Sequence, residues 1–135
     1  MWVRLFGAAL LALTLGGCAP PPYTNVDNTE LKALLEKGVP LYDVRRAEEW
    51  RQTQVVEGSR TLTYVDASGK PNPDFLPRFT AEVGKNDPVI LICRTGNRTD
   101  TLARELMEKH GYTRVYNVHG GITRWTREHN PVIRN

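Results

Sequence analysis

The feature that most constrains this 135-residue chain is one apolar run that ends in a cysteine. Residues 88–93 are Pro-Val-Ile-Leu-Ile-Cys, and Arg-Thr-Gly-Asn-Arg-Thr follows at once. A short continuous run with β-branched residues is typical of a strand covered on both faces, as a central parallel strand is. Cys93 then lies at the carboxyl end of that strand, where open α/β sheets bind their ligands.

Segments with strand and helix character alternate along the rest of the chain. Further strands are predicted at 40–44, 60–65 and 114–118. Helices are predicted from Asn28 or Thr29 as cap to Gly38, around Glu48–Trp50, over 75–83, and from near Thr99 to Gly111. The alternation predicts the α/β class, with an open, mainly parallel sheet of about five strands and helices on both faces.

The amino terminus has the architecture of an export signal. Arg4 precedes an apolar stretch over 5–15, which is shorter than the roughly 20 residues that a membrane-spanning helix needs. Leu-Gly-Gly-Cys at 15–18 resembles a bacterial lipobox, so we expect a lipoprotein signal peptide over 1–17 and acylation of Cys18. An ordinary secretory signal that ends near a cysteine is the alternative.

The expected domain organisation follows from this signal. A lipidated, Pro-rich tether would occupy 18–27, and one domain would occupy 28–135. The resemblance to lipoproteins implies that Ala19, rather than Asp, in the position after the cysteine would favour the periplasm-facing outer membrane of a two-membrane bacterium. We therefore expect an exported protein that contacts the membrane through its lipid anchor.

Charge and cysteine content exclude several other classes. The formal net charge is +3, and Lys and Arg are interspersed with Asp and Glu, so no basic stripe indicates a nucleic-acid partner. Cys18 and Cys93 are the two cysteines, and their contexts differ too much for a disulfide framework. The sequence implies no metal and no organic cofactor.

The loop after Cys93 is suited to hold a reactive sulfur. Peptide N–H groups before a helix can surround an anion, as backbone nests and helix N-termini do. Cys93 is thus the candidate nucleophile, and the candidate substrate-binding residues are Arg94, Thr95, Gly96, Asn97, Arg98 and Thr99. In the alternative interpretation, Cys93 is an ordinary buried cysteine, Gly96 a turn residue and the arginines solvated charges.

Three segments, in this order, resemble the rhodanese family. They are Tyr-Asp-Val-Arg-Arg-Ala-Glu-Glu-Trp at 42–50, Cys-Arg-Thr-Gly-Asn-Arg-Thr at 93–99, and Val-Tyr-Asn-Val-His-Gly-Gly-Ile-Thr-Arg-Trp at 115–125. The resemblance implies a single-domain sulfurtransferase. Cys93 would take a sulfane sulfur from thiosulfate or a persulfide, a small anionic donor, and pass it to a thiol or cyanide-like acceptor.

The resemblance also implies roles for residues outside the loop. Arg45 and Glu49 would pair to hold the loops beside the sheet. Gly120 and Gly121 would allow a tight turn into the last helix, and Trp125 would fill the core. His119 is expected to be structural or exposed, because a preformed thiolate needs no base.

Two other functional classes stay open. One is a membrane-tethered module that senses or binds sulfur or redox species without turnover. The other is an oxyanion enzyme such as a cysteine phosphatase or an arsenate reductase. Cysteine phosphatases have the pattern Cys-x5-Arg, whereas Cys93 and Arg98 form Cys-x4-Arg. The shorter loop makes a smaller anion site, which suits a sulfur atom better than a tetrahedral oxyanion and so favours sulfur transfer.

Overall fold

The sheet is open, as predicted, and all of its strand pairs are parallel, where a mainly parallel sheet was expected. The computed structural model describes residues 19–135, so the predicted signal peptide and Cys18 lie outside the described residues. The strands are β1 (Thr24–Val26), β2 (Leu41–Asp43), β3 (Arg60–Thr61), β4 (Val89–Ile92) and β5 (Val115–Val118). They pair in the order β1-β5-β4-β2-β3.

Helices cover both faces of the sheet, which confirms the predicted α/β class. They are α1 (Asn28–Glu36), α2 (Ala47–Thr53), α3 (Phe75–Glu82), α4 (Asn97–Lys109) and α5 (Gly121–Arg127). Val89 and Leu91 pack in the core on the side of α3 and α4, whereas Ile90 and Ile92 pack on the side of α1 and α5. Over residues 19–135, no helix has the length and apolar character required to span a membrane.

Strand β4 is the predicted central strand. Its four residues are fully buried, and it pairs with β2 on one side and β5 on the other. Burying a Val, Leu or Ile side chain contributes about 1.5–3 kcal/mol to folding. The strand that carries the candidate nucleophile at its carboxyl end is therefore among the most firmly held parts of the domain.

The edge strand β1 was missed, because it lies in the segment predicted to be a tether. Thr24–Val26 pairs in parallel with β5, with Val26 opposite Val118. Of its three residues only Val26 is buried, so the segment has no apolar period to reveal it. The tether prediction for 18–27 therefore extended too far into the folded domain.

The cap of α1 also differs from the prediction. Asp27, rather than Asn28 or Thr29, is the N-cap, and its carboxylate accepts the Glu30 amide at 2.8 Å. The Glu30 side chain accepts the Asp27 amide in return, at 3.2 Å. This reciprocal capping box satisfies two backbone donors at once, which explains why the helix starts where it does.

Candidate active site

Cys93 directly follows β4 and is 1% exposed. Its Sγ accepts the Gly96 amide at 3.2 Å and lies 3.3 Å from Thr99 Oγ1. Above it is a cleft of about 470 Å3, which Cys93 lines together with Arg46, Glu49, Gln52, Arg94, Thr95, Asn97 and Arg98. The sulfur is therefore the floor of a polar cleft at the carboxyl end of the sheet.

Gly96 shapes the loop that follows the cysteine. Its φ of 102° is in the left-handed region that favours glycine, and it caps α4. The helix consequently begins at Asn97, so the predicted start near Thr99 was two residues too late. The early start places the Gly96 amide directly on the sulfur.

A second glycine, Gly121, lets the start of α5 pack closely against this loop. A Cβ on Gly121 would lie 2.4 Å from the Cys93 carbonyl oxygen and 2.5 Å from that of Arg94. The first turn of α5 uses this approach, since the amides of Ile122 and Thr123 donate to those carbonyls at 2.9 and 3.1 Å. The predicted tight turn at Gly120 and Gly121 is confirmed, and it holds the loop from behind.

The predicted pair of Arg45 and Glu49 was wrong. Glu49 instead forms a two-pronged ion pair with Arg98, with N–O distances of 2.8 and 2.7 Å. Burial raises the Glu49 pKa, but hydrogen bonds from Arg98 and the Arg46 amide outweigh it and lower the pKa to about 2. Glu49 in turn raises the pKa of Arg98. Arg98 therefore lines the cleft with its guanidinium already paired to a carboxylate.

Arg45 pairs with Asp43 inside the protein. The side chains are 1% and 0% exposed, and their shortest N–O distance is 2.8 Å. The guanidinium also donates to Thr53 Oγ1 at 2.6 Å and to the Gln54 carbonyl at 2.8 Å. Gln54 has a φ of 62°, and this conformation presents its carbonyl to Arg45. The cluster ties α2 to the end of β2.

The predicted substrate-binding residues separate into two groups. Arg94, Thr95 and Asn97 are exposed and line the cleft, and Arg98 lies between them with its side chain 22% exposed. The other two, Gly96 and Thr99, are buried and contact the sulfur. The structure thus brings the six residues together around Cys93, with different surroundings for each group.

Two site residues were missed by the sequence analysis. Arg46 lines the cleft and pairs with Glu48 at 2.7 Å. Asn117, in β5, is 3% exposed and accepts the Thr99 hydroxyl at 2.5 Å. A signal existed for Asn117, because a polar residue in a strand predicted to be buried needs a partner.

Two expectations outside the loop are confirmed. Trp125, in α5, is 4% exposed and packs into the core on the side of α1, and its Nε1 donates to the Pro131 carbonyl at 2.9 Å. His119 is exposed, and it is not among the residues that line the cleft above Cys93. The site's chemistry therefore centres on a sulfur, amides and arginines.

Fold and site together define an open parallel α/β domain with a buried cysteine under an arginine-lined cleft. Residues 27–128 match the family model of the rhodanese-like domain. The chain therefore belongs to the rhodanese-like family, as the sequence motifs predicted.

Individual proteins show the same relationship. The chain is 32% identical over 107 residues to thiosulfate sulfurtransferase 16, chloroplastic, of Arabidopsis thaliana, covering 77% of this chain and 88% of the relative. It is 31% identical over 104 residues to thiosulfate sulfurtransferase GlpE of Tolumonas auensis, covering 76% and 88%. A rhodanese-related protein from Thermoplasma volcanium shares the fold, with a TM-score of 0.62, 23% identity, and coverage of 84% and 100%.

Proposed function

We propose that this protein is a sulfurtransferase that carries a sulfane sulfur on Cys93 as a persulfide. The observation that carries the proposal is the position of the Cys93 Sγ on the floor of an arginine-lined cleft, with the Gly96 amide directed at it. The relatives named thiosulfate sulfurtransferase support it. A persulfide anion is a charge that peptide N–H groups and arginines stabilise.

The proposed cycle has two displacement steps. The Cys93 thiolate attacks the outer sulfur of thiosulfate, the bond between the two sulfurs of the donor breaks, and sulfite leaves with the electron pair. A thiolate or cyanide then attacks the outer sulfur of the enzyme persulfide and forms a persulfide or thiocyanate. The Cys93 thiolate leaves with the electron pair of the broken bond, as in other covalent mechanisms with two half-reactions.

The arginines around the cleft have unequal roles in this cycle. Among the hydrogen bonds and ion pairs of residues 19–135, none engages the guanidinium of exposed Arg94, and the nearest partner of Arg46 is the half-exposed Glu48 carboxylate, with Glu49 farther away at 3.9 Å. The side chains of Arg94 and Arg46 can therefore turn toward an anionic donor at a small cost in free energy. Arg98 instead orients the loop through Glu49. This commitment also disfavours an oxyanion enzyme, which would need the loop-closing arginine on its substrate.

The test is to treat the full-length protein with thiosulfate and to analyse its peptides by mass spectrometry. We expect a gain of one sulfur atom on the peptide with Cys93, release of sulfite, and loss of both in Cys93→Ser. Binding of thiosulfate without an adduct would instead support the sensing module. Hydrolysis of phosphate esters without sulfur loading would support the oxyanion enzyme.

We also propose that the protein is exported and anchored to the periplasm-facing outer membrane through acylated Cys18. The support is the lipobox-like sequence at 15–18 and Ala19. In a two-membrane bacterium grown with labelled palmitate, we expect the label on the full-length protein and in the outer-membrane fraction. Cys18→Ser should lose both. An unlabelled, soluble periplasmic wild-type protein would contradict the anchor.

A further inference from the structure

A second, smaller pocket opens beside the cleft over Cys93, between α2 and α5. Its volume is about 170 Å3. Glu49, Gln52 and Arg94 line both the pocket and the cleft, so the two cavities are neighbours with a common wall. Helix α5 contributes three more lining residues, which are Ile122, Thr123 and Thr126. The cycle described above uses the cleft and leaves this pocket without a role.

The α5 wall of the pocket is fastened to the backbone of the reactive cysteine. The Ile122 amide donates to the Cys93 carbonyl at 2.9 Å, and the Thr123 amide donates to the Arg94 carbonyl at 3.1 Å. Ile122 itself is 2% exposed. The pocket therefore has a fixed position relative to Cys93, and a molecule that reacts at the outer sulfur of a Cys93 persulfide can extend into it.

The pocket presents a mostly apolar surface, whereas the surface of the cleft is mostly polar. Polar residues line the pocket, but several of their polar atoms are engaged within the protein. Thr126 Oγ1 donates to the Ile122 carbonyl at 3.0 Å, and Thr53 Oγ1 donates to the Glu49 carbonyl at 3.2 Å. The Glu49 carboxylate is held by Arg98. Such a surface suits a hydrocarbon group better than an ion.

The size and character of the pocket distinguish between the reactants of the cycle. Thiosulfate and cyanide are small anions without a hydrocarbon part, so neither has a group to place there. A thiol acceptor carries a hydrocarbon chain on its sulfur, and this chain has to lie beside the reacting atoms. Apolar cavities of about 150 Å3 bind benzene, so a pocket of about 170 Å3 has room for a chain of about four to six carbons.

We propose that the pocket between α2 and α5 is the acceptor site, and that it takes the uncharged chain of an aliphatic thiol. This inference rests on the proposed persulfide of Cys93. The acceptor's thiolate attacks the outer sulfur of the persulfide, and a new bond between these two sulfurs forms. The bond from the outer sulfur to Cys93 Sγ breaks, the Cys93 thiolate leaves with its electron pair, and the product is an alkyl persulfide. The chain in the pocket holds the attacking sulfur in place.

The test is discharge of the loaded full-length protein by straight-chain thiols, from ethanethiol to pentanethiol. The protein is loaded with thiosulfate and freed of excess donor, and the persulfide that remains after addition of each thiol is followed by mass spectrometry. The sulfur atoms of these thiols are chemically alike, so chain length alone is varied. We expect the second-order rate constant of discharge to rise about two- to fourfold with each added methylene.

Filling the pocket should remove this dependence on chain length. Thr126→Leu places a larger side chain in the wall, and we expect the rate constants for ethanethiol and pentanethiol to become similar. Thr126→Val keeps the size of the side chain and should keep the dependence. Thr80→Leu is the matched control, because Thr80 is also exposed and its Oγ1 also donates to the carbonyl four residues earlier, at 2.7 Å, but it lies in α3 outside the pocket.

Each rate constant is divided by that for cyanide in the same protein, which corrects for changes in the reactivity of the persulfide itself. Two results would overturn the acceptor site and leave the proposed function intact. One is a wild-type rate constant that does not rise with chain length, and the other is a rise that persists in Thr126→Leu. If that variant does not fold, Thr123→Leu fills the pocket from the same wall. A wild-type protein that forms no persulfide with thiosulfate would overturn the proposed function, and the acceptor site with it.

Discussion

Two arginine–carboxylate pairs flank the candidate active site, and they differ in their access to water. Arg45 and Asp43 are 1% and 0% exposed, whereas Arg98 and Glu49 are 22% and 11% exposed in their side chains. Both arginines belong to segments that resemble one family, and in sequence they look alike. The difference in burial means that the first pair supports the fold, while the second connects the fold to the cleft.

The contrast shows how burial changes the consequence of the same chemistry. A deeply buried pair has a large desolvation cost, so removing one partner leaves an uncompensated charge in the interior. A pair at the edge of a cleft is partly hydrated, so water compensates for part of the loss of one partner. Removal of single partners is therefore the direct way to separate the two pairs.

The largest loss of stability is expected from Arg45→Met. The substitution strands the Asp43 carboxylate, which also accepts Trp50 Nε1 at 3.0 Å, and leaves Thr53 and the Gln54 carbonyl without their donor. We expect the free energy of unfolding to fall by about 3–5 kcal/mol. Urea denaturation would measure it. Arg98→Met is the matched comparison and should cost clearly less; equal losses would refute the distinction.

A smaller loss of stability is expected at acid pH, where Glu49 becomes protonated. Its pKa in the folded protein is about 2, below the ordinary value of 4.5. A lowered folded-state pKa stabilises the protein above pH 4.5, and this contribution is lost as pH falls from about 4.5 toward 2. The wild type should therefore exceed Glu49→Gln in stability by about 2–3 kcal/mol at neutral pH.

The measurement is a set of urea denaturation curves for both proteins between neutral pH and the lowest pH at which they fold. The difference between them isolates Glu49, because other acids with lowered pKa values, such as Asp66 and Asp100, are present in both. We expect this difference to shrink steadily below about pH 4.5. A difference that stays constant down to the lowest pH would contradict the role of the Arg98 pair.

Sequence reasoning predicted the parts of this molecule that depend on local pattern. The apolar run at 88–93 predicted a central strand, and the structure buries all four residues of β4. The position of Cys93 followed from chain direction alone, because ligands bind at the carboxyl ends of parallel strands. Gly120 and Gly121 likewise indicated a turn, and both have positive φ.

Local errors were confined to helix ends, such as the cap of α1 at Asp27 and the start of α4 at Asn97, and the larger errors arose where distant segments meet. Arg45 and Glu49 are four positions apart, as a helical pair would be, but Glu49 reaches Arg98 in another segment and Arg45 turns back to Asp43. Strand β1 has too few buried residues to show a period, and only its pairing with β5 reveals it. Such contacts depend on tertiary packing, which a single sequence does not specify.

The smallest effect should come from Arg46, and it sharpens the comparison because this arginine belongs to neither strong pair. Its guanidinium contacts Glu48, whose side chain is 49% exposed, and it lines the same cleft as Cys93. Exposed pairs contribute about 0–1 kcal/mol, so Arg46 can exchange Glu48 for an anionic donor. For Arg46→Gln we expect unchanged stability and a KM for thiosulfate about two- to fivefold higher at low salt.

Steady-state kinetics at two salt concentrations would check this, because added salt should reduce the difference between the proteins. Arg78→Gln is the control, since Arg78 is an exposed residue of α3 outside the cleft and its replacement changes the net charge equally. Equal KM increases in both variants would assign the effect to overall charge. A selective increase in Arg46→Gln would place donor recognition on an arginine that belongs to neither of the two strong pairs.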